Sequence, residues 1–293
     1  MLSFLFEQYG YYPNNLKDNT FFVDQWMFKL LDCDLDEKNM ETIEEYLKII
    51  RENYNGCGVY IVKTKFNKLL SYYDGKKYTL MAINKETIVS INDLKKFHFI
   101  FKKLEMGMDL RNLLNAWKYR SEYFEKNLLS GLSVESVHYG KNLEICLFAL
   151  GMCQNAIQYL SQIIEDYGEK IENVTLTHKR LENLNFFDFF NPFNFVIDNP
   201  VRDYAELYRN SNINYNVLVE CLDFYNFSTK EVSLFIARIM YPVQILDLIE
   251  RNIEKKEKNF NLNFHINNEL LKIKKVYLFF REVYHIRPIS WLE

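Results

Sequence analysis

The sequence predicts an α+β protein in two lobes, a small antiparallel β-sheet lobe with one helix over residues 1–84 and a larger, mainly helical lobe over residues 85–293. Up to about residue 84, short runs with period-two alternation surround one helical pattern, whereas beyond residue 90 the apolar residues recur with helical spacing. Only 9 Gly and 5 Pro, set against 48% hydrophobic residues, leave little material for long loops. This balance favours helices in the second lobe.

The first lobe begins with a strand pattern and one helix. In "NTFFVDQWMFKLLDC" (19–33), the side chains of Met27, Lys29 and Leu31 alternate with bulky neighbours, which is typical of strands. The following "LDEKNMETIEEYLKIIREN" (35–53) changes to helical spacing. Its apolar residues share one helix face: Met40, Ile43, Leu47 and Ile50.

Two further β-rich segments complete the first lobe. "GVYIVKTK" (58–65) is strand-like, and "KLLSYYDGKKYTLMAIN" (68–84) holds Asp74-Gly75 between two β-rich runs, which predicts a hairpin. The predicted order is therefore strand, strand, helix, strand, strand. The boundary with the second lobe is predicted near residues 84–92.

The second lobe consists of amphipathic helices. Six segments place apolar residues at i, i+3, i+4 and i+7: 92–107, 109–129, 142–168, 215–227, 228–256 and 267–285. Ser228 followed by Glu231 predicts a capping box at the start of the fifth. One aromatic-rich, β-like segment interrupts these helices.

Composition excludes several classes of protein. The 36 basic and 39 acidic residues are spread along the chain, so we expect no nucleic-acid partner and no anionic membrane surface. The apolar run 145–153 is too short for a membrane span and predicts a core helix. An acid at Glu7 and the lack of a basic start argue against a signal peptide. The five cysteines are dispersed, which indicates buried thiols in a reducing compartment.

The segment "LTHKRLENLNFFDFFNPFNFVIDNPVRDYAELYR" (176–209) carries the functional signal. Together with the lobe order, it resembles the aminoglycoside and choline phosphotransferase branch of the protein-kinase-like fold, whose pattern is H-G-D-x-x-x-x-N, a strand ending in a magnesium-holding Asp, and a D-L-A helix start. By this resemblance, His178 and Asn185 match the pattern. Arg180 stands at the catalytic Asp position, Asn194 at the metal Asp position, and Asp203 begins the D-L-A element.

The sequence resembles one subgroup of this branch more closely. Three features resemble the endospore coat proteins of the YutH type, which are relatives of the CotS spore coat kinase-like proteins. They are the segment "LGMCQNAIQYL" (150–160), an H-x-R in place of H-x-D, and the residue pattern at 198–206. That subgroup tends to keep Asp-Trp where this chain has Asn194-Phe195. The resemblance implies synthesis in the mother-cell cytoplasm, a location in the spore coat, and other spore coat proteins as partners.

The residues at these positions lack the groups that phosphoryl transfer requires. Arg180 stays protonated and offers only donors, so it cannot be a catalytic base. The amide of Asn194 has a neutral carbonyl where magnesium prefers an anionic oxygen. A metal site on Asn185 and Asn194 would therefore be weak, and Asp198, a turn residue by its setting, is the one acid that could take over.

The nucleotide side is also incomplete. Gly10 is the only glycine before residue 55, so no glycine-rich phosphate loop is visible. Lys29 is the candidate kinase-type lysine, with Glu45 as the candidate partner and Glu41 and Glu44 as the other choices. The competing interpretation is a solvated surface pair of small energetic value.

Two roles are open for Arg180. It could tie Asp198 or Asp203 in a bidentate ion pair that holds the hairpin in shape, or it could receive a phosphate or carboxylate of a partner. His178 is expected to pack and hydrogen-bond within the hairpin. The other histidines are isolated and have no metal-ligand spacing.

Three functions follow from these residues. The first is a catalytically degenerate, pseudokinase-like protein of the spore coat that acts through protein contacts and needs no cofactor. The second is an atypical phosphotransferase that uses ATP and magnesium held by Asn185 and Asp198, acting on a coat protein or a small molecule. The third is a module that binds nucleotide without turnover. Aromatic clusters at 8–12, 71–78 and 185–195 are mostly core, with some suited to adhesive contacts.

Overall fold

The alternating segments of the first lobe form one antiparallel sheet in the computed structural model, which describes residues 1–54, 57–84, 88–102, 107–211, 213–255, 257 and 259–293. The chain divides into two compact units. Unit 1 comprises Met1–Leu94 and Lys179–Phe195, and unit 2 comprises Lys95–His178 and Val196–Glu293. The α+β class predicted from the sequence is confirmed.

Unit 1 opens with a helix that the sequence did not reveal. Its first elements in chain order are α1 (Leu2–Tyr9), β1 (Thr20–Val23), β2 (Trp26–Asp32), α2 (Glu37–Asn53), β3 (Val59–Val62), β4 (Ser71–Tyr73) and β5 (Lys76–Asn84). The sheet order is β1-β2-β5-β3, and β4 pairs with the start of β5. The predicted order of strand, strand, helix, strand, strand is one strand short, because three strands, β3, β4 and β5, follow α2. Helix α1 precedes this order.

The two helices cover different faces of this sheet. α1 packs on one face, where the cluster of buried residues includes Phe4, Phe28 and Leu80. Met81 and Ile83 point to the other face because side chains alternate along a strand, and both are also fully buried. α2 packs against β3 with the four apolar residues that the sequence predicted, and it therefore covers this second face.

Local residue choices explain the turns and ends in unit 1. Asp74 and Gly75 both have positive φ, 47° and 74°, which is the two-residue hairpin predicted between β4 and β5. Asp36 caps α2 by accepting from the backbone N–H of Asn39 at 2.8 Å. Gly58 leaves room for the indole of Trp26, because a Cβ there would lie 2.2 Å from the ring.

Unit 2 is mainly helical, as predicted. The remaining elements of the chain are α3 (Ile91–Ile100), β6 (Met108–Asp109), α4 (Leu110–Tyr123), α5 (Tyr139–Tyr167), β7 (Lys170–Ile171), β8 (Thr175–His178), α6 (Phe186–Phe190), β9 (Phe195–Asp198), α7 (Val201–Arg209), α8 (Tyr215–Tyr225), α9 (Thr229–Met240), α10 (Val243–Glu254) and α11 (Ile266–Tyr284). Of these, α6, the start of α3 up to Leu94 and the first residue of β9 lie in unit 1. Helix α9 is central to unit 2, because it packs against α5, α7 and α11 and buries every residue from Glu231 to Met240.

One helix prediction needs correction, and another can be followed only in part. The segment 228–256 is two helices, α9 and α10, separated at Pro242, which has no backbone N–H to continue the first helix. Its predicted capping box is present, with Ser228 and Glu231 satisfying each other's backbone N–H groups. The helix predicted over 92–107 is seen as α3, and residues 103–106 lie outside the described residues.

The units divide differently from the lobes predicted at 84 and 85. That boundary adjoins residues 85–87, which lie outside the described residues, and unit 1 continues to Leu94. Residues 179–195 of the hairpin segment also group with unit 1. There the ring of Tyr54 contacts Phe189 and Phe190, with centroids 6.3 and 5.4 Å away.

The state of the cysteines agrees with the reduced, buried thiols predicted from the sequence. All five cysteines are free and buried, as predicted, and burial raises the pKa of Cys57, Cys146 and Cys153 to about 12.

Two helical stretches, Tyr139–Tyr167 and Thr229–Glu254, are long and apolar enough to cross a membrane by length and composition. This is weak evidence, since buried core helices pass the same test and 83% of the second window is buried.

Candidate functional site

The hairpin of β8 and β9 leads into the segment that carries the predicted site. The two strands pair, and the hydroxyl of Thr177 donates to the carbonyl of Val196 at 3.0 Å. Beyond the strands, in unit 1, the backbone N–H of Lys179 donates to the carbonyl of Asn194 at 2.6 Å. These bonds set the backbone on which the predicted residues are displayed.

Asp203 is the anchor of the hairpin in unit 2. It lies in the first turn of α7 and is fully buried. Its carboxylate accepts from the backbone N–H of His178 at 2.9 Å and from Nδ1 of the same residue at 2.8 Å. His178 therefore packs and hydrogen-bonds within the hairpin, as the sequence predicted.

A second buried imidazole shares the same carboxylate. Nε2 of His98 lies 2.9 Å from Oδ2 of Asp203, and Nδ1 of His98 lies 2.9 Å from the hydroxyl of Tyr225. Because a carboxylate only accepts, the nitrogens that face Asp203 carry the protons. Nδ1 of His98 then accepts from Tyr225, whose hydroxyl in turn accepts from Tyr204 at 3.2 Å.

Burial and these contacts set the ionisation of the cluster. Burial lowers the pKa of His98 despite the hydrogen bond and charge of Asp203, so this imidazole is neutral at neutral pH. Burial also opposes ionisation of Asp203. The two imidazoles more than offset it, and they hold the pKa of that carboxyl well below its ordinary value.

Asp198, at the end of β9, is bound by two arginines. Nη2 of Arg238 donates to Oδ1 and Oδ2 of Asp198 at 2.6 and 2.7 Å, and Nη1 of Arg202 donates to Oδ2 at 2.8 Å. The backbone N–H of Asn199 is the third donor and makes the fourth hydrogen bond, to Oδ1 at 2.7 Å. Both Asp198 and Arg238 are buried. The carboxylate has about four acceptor positions, and these donors use them all.

Asp198 and Asp203, the two acids expected to pair with Arg180, have these partners within unit 2, and the ion pair from Arg180 stays a prediction. Arg202 and Arg238 neutralise Asp198, and the two imidazoles occupy Asp203. Sequence reasoning missed Arg238 and His98. An available signal was the position of Arg238 in "SLFIARIM", since an arginine within an apolar helical run needs a buried partner.

Asn194 and Arg180 are joined through amide and backbone in unit 1. Oδ1 of Asn194 accepts from the backbone N–H of Arg180 at 3.0 Å, while Nδ2 of Asn194 donates to the carbonyl of Arg180. An asparagine can make both bonds because its amide has an acceptor and a donor, whereas an ionised aspartate could only accept. The amide at this position thus matches the peptide group that it faces.

Asn185 is used as a helix cap. Its Oδ1 accepts from the backbone N–H of Asp188 at 2.8 Å at the start of α6, and its Nδ2 donates to the side chains of Asn183 and Asp188. The side chain that would hold a metal in the resembled pattern is therefore committed to local structure. Asn185 is exposed.

Lys29 lies on the sheet face predicted for it, with Met27 and Leu31. Its ammonium group is 4.5 Å from the ring centroid of Phe187 in α6, a cation–π distance. Within the described part of the chain it meets no carboxylate. Glu44 pairs instead with Arg51 at 2.8 Å, and Glu45 is exposed. The lysine and glutamate pair proposed from the sequence is not formed.

Arg180 borders an open hollow of unit 1 of about 370 Å³. Its guanidinium donates to the carbonyl of Lys179 at 2.8 Å. The hollow is polar, and the carboxylates of Glu182 and Asp188 also line it. Over the described residues, no group of three or more His, Cys, Asp or Glu side chains is placed to hold a metal ion.

Residues 3–277 match the family described as "Spore coat putative kinase YutH". A search of curated protein sequences returned no match.

Two solved structures share the fold at 10% sequence identity. An aminoglycoside phosphotransferase from Alicyclobacillus acidocaldarius subsp. acidocaldarius DSM 446 has a TM-score of 0.52, with 95% of this chain and 89% of that chain covered. The spectinomycin phosphotransferase APH(9)-Ia, solved with ADP and spectinomycin, has a TM-score of 0.50, with 95% and 93% covered. The fold is therefore that of protein-kinase-like phosphotransferases, and the chain belongs to the YutH family of spore coat proteins.

Proposed function

We propose that this chain is a catalytically degenerate kinase-fold protein that acts in the spore coat through contacts with other coat proteins. The observation that carries the proposal is the pairing of Asp198 with Arg238 at 2.6 and 2.7 Å. Asp198 is the acid that the sequence offered as a replacement for the missing metal ligand, and a buried cation already neutralises it.

Asp198 is not available as a magnesium ligand. A Mg²⁺ ligand must offer a free, preferably anionic oxygen in near-octahedral geometry. The four hydrogen bonds that Asp198 accepts leave it no free oxygen, and freeing the carboxylate would leave Arg238, which is 7% exposed, without its counter-charge. Breaking a buried ion pair in this way costs about 3–5 kcal/mol.

The other two positions also lack the chemistry. Asn194 presents a neutral carbonyl oxygen that the backbone N–H of Arg180 already uses. Arg180 itself cannot take a proton from an acceptor hydroxyl, because a guanidinium stays protonated at any physiological pH. Neither a metal-holding charge nor a base is therefore present at the positions that the resembled pattern assigns to them.

The nucleotide side of unit 1 supports the same proposal. The ammonium of Lys29, the candidate phosphate-binding group, lies against the aromatic ring of Phe187. A phosphate would have to compete with a ring that is itself half-buried in α6. ATP and magnesium are accordingly not part of the proposed function.

Contacts with other coat proteins follow from the family to which the chain belongs. We infer synthesis in the cytoplasm of the mother cell followed by incorporation into the coat. The alternative is an atypical phosphotransferase that uses Asn185 and Asp198. Only the likeness of fold supports it, because the hydrogen bonds of these two side chains do not suit a metal site.

Titration with Mg-ATP, followed by calorimetry and thermal unfolding, tests the proposal. We expect no saturable heat and no stabilisation, whereas a ligand at a hundred times its Kd would add about 2.7 kcal/mol. The spectinomycin phosphotransferase, whose solved structure contains ADP, is the positive control. Magnesium-dependent binding with phosphate transfer would establish the alternative, and binding without transfer would establish a nucleotide-binding module.

Capture from sporulating cells tests the partner half of the proposal. The tagged chain should retain coat proteins, while a tagged unrelated kinase-fold protein should not. Equal recovery on both baits would contradict a role through specific contacts.

A further inference from the structure

A hollow of unit 2 lies between α5 and the segment that follows α11. Its volume is about 100 Å³, and it opens to solvent. Helix α5 contributes Asn155, Gln158 and Gln162, which recur at i, i+3 and i+7 and therefore share one side of the helix over about 10 Å. We call these three residues the amide face. None of the described residues that line the hollow belongs to the hairpin segment 176–209.

The opposite wall of the hollow is the segment 288–291, which is fixed to α11. The backbone N–H of Ile289 donates to the hydroxyl of Tyr277 at 2.9 Å, and the backbone N–H of Leu292 donates to the carbonyl of Ile289 at 2.9 Å. Ile289 and Leu292 are both buried, so this turn is packed against the rest of unit 2. Trp291 lies between them in the sequence, and it lines the hollow with 40% of its surface exposed.

The amide face has hydrogen-bonding groups that the fold does not use. Over the described residues, the side chains of Asn155, Gln158 and Gln162 form no hydrogen bond within the chain, and neither does the hydroxyl of Ser290 in the opposite wall. Each carboxamide has an NH₂ group with two donors and a carbonyl oxygen with two acceptor positions. A ligand in the hollow therefore meets donors and acceptors side by side.

The lining of the hollow is uncharged. No Lys, Arg, Asp or Glu is among the described residues that form it. The charged residues that adjoin it in the sequence have partners of their own, because Arg287 pairs with Asp166 at 3.2 Å and Glu293 accepts from Tyr277 at 3.3 Å. A phosphate, a carboxylate or an ammonium group would find no counter-charge in this lining. The ligand that fits it is neutral.

A neutral saccharide has the chemistry that this lining matches. A sugar ring carries hydroxyls on most of its carbons, and each hydroxyl both donates and accepts, as a carboxamide does. A peptide offers only one N–H and one C=O per residue, which is a lower density of such groups. The C–H face of a sugar ring is apolar and flat, and the indole of Trp291 provides an aromatic surface for it.

We propose that this hollow binds an uncharged saccharide, with one sugar ring packed on the indole of Trp291 and its hydroxyls hydrogen-bonded to the amide face. Concave sites that combine an apolar surface with a few polar groups are typical of small-ligand binding. The binding uses no nucleotide and no magnesium. It also does not depend on the contacts with coat proteins proposed above.

Titration of the whole chain with two neutral tetrasaccharides provides the first test. Maltotetraose consists of glucose, and chitotetraose consists of N-acetylglucosamine. Calorimetry should show saturable binding of at least one of them, and the tryptophan emission should shift to shorter wavelength as the ring covers the indole. Polygalacturonate, whose sugars carry carboxylates, should bind at least about tenfold more weakly, because the lining offers no cation. No saturable binding of either tetrasaccharide would overturn the proposal, and so would equal binding of polygalacturonate.

Replacement of the indole tests the packing of the sugar ring. Trp291→Ala should weaken binding about tenfold or more by calorimetry, and Trp291→Phe, which keeps an aromatic face, should lose less. The matched control is Tyr119→Ala, which removes an aromatic side chain of α4 that is 74% exposed and is not among the residues lining the hollow. Equal affinity of wild type and Trp291→Ala would overturn the proposal.

Replacement of the amides tests the hydrogen bonds. Gln158→Ala with Gln162→Ala should weaken binding about tenfold, because both side chains lose their donors and acceptors. Gln154→Ala is the matched control, since Gln154 is an exposed amide of the same helix that is not among the residues lining the hollow. Equal losses in the double variant and the control would contradict the role of the amide face.

These variants also separate a saccharide from a protein ligand. Circular dichroism shows which of them are folded, and the replacements at Gln158 and Gln162 change only side chains without hydrogen bonds in the described structure. If neither tetrasaccharide binds, while Trp291→Ala loses coat proteins that the wild type captures, the hollow is a protein-binding site and the proposal is overturned. Saccharide binding that both Trp291→Ala and the double variant weaken establishes it.

Discussion

Arg238 binds both carboxylate oxygens of Asp198 from α9, forty residues further along the chain, with both groups buried. The guanidinium of Arg238 thus neutralises the acid that the sequence offered as a substitute metal ligand. The pairing has consequences for stability as well as for chemistry, and both can be measured.

Replacing Arg238 with methionine should lower the free energy of unfolding by about 3–5 kcal/mol, because it leaves Asp198 buried with less of its counter-charge. Urea denaturation provides the measurement. Arg111→Met is the control, since its ion pair with Glu169 is 66% exposed on the arginine side and should contribute under about 1 kcal/mol. Equal effects at the two sites would contradict the importance assigned to the buried pair.

Restoring the acid at position 194 should destabilise the hairpin. Asn194→Asp loses the donor to the carbonyl of Arg180 and sets a carboxylate against that oxygen, at a cost of about 1–3 kcal/mol. Asn191→Asp is the matched control, because Asn191 only accepts, from the backbone N–H of Phe193, and an aspartate can do the same. Thermal unfolding of both variants should show a loss only for the first. A neutral Asn194→Asp would mean that the amide is not needed for the backbone pairing.

Stability should fall as the pH is lowered below about 6.5. The folded-state pKa of His98 is lowered, so between that pKa and the unfolded value of about 6.5 the unfolded chain binds more protons and gains stability relative to the folded one. Asp203, also lowered, extends the loss below its unfolded value of about 3.9. The contribution of Asp203 to the free energy of unfolding is complete above about pH 3.9, and it is lost as the pH falls through the folded-state pKa of this carboxyl.

Urea denaturation from about pH 5 to 8 measures this dependence. His98→Gln, which keeps a donor towards Asp203, should flatten the slope between about pH 5 and 6.5. The same replacement at the exposed His265 should leave the slope of the wild type. If both variants keep that slope, the buried cluster is not its source.

Gly58→Ala should destabilise unit 1 by about 1–3 kcal/mol, because the new methyl group would meet the indole of Trp26 at 2.2 Å. Trp26→Leu in the same chain should recover part of the loss by removing the ring. A double-mutant cycle by thermal unfolding checks the coupling. Additive effects would show that the indole yields to the methyl group without strain.

Much of the fold could be predicted because its signals are local. The apolar face of α2 and the Asp74-Gly75 hairpin are each determined by residues that are close together in the sequence. Helix α1 was missed because eight residues give too short a period to identify. The break at Pro242 was missed because the apolar pattern continues across it.

The candidate site was less accessible to sequence reasoning. The positions His178, Arg180, Asn185 and Asn194 could be located by resemblance, and the chemistry of their side chains could be judged. Their partners could not, because Arg238 and His98 come from distant segments brought together by the packing of α9 and α3. The cation–π contact of Lys29 with Phe187 likewise depends on where α6 packs within unit 1.

Catalytic silence is tested by phosphate transfer from ATP labelled in its terminal phosphate, in the presence of magnesium and a spore coat extract. We expect no transfer above the level of a chain-free control, and the same level for an Asp198→Asn variant. Transfer above background by the wild type that the Asp198→Asn variant abolishes would contradict it.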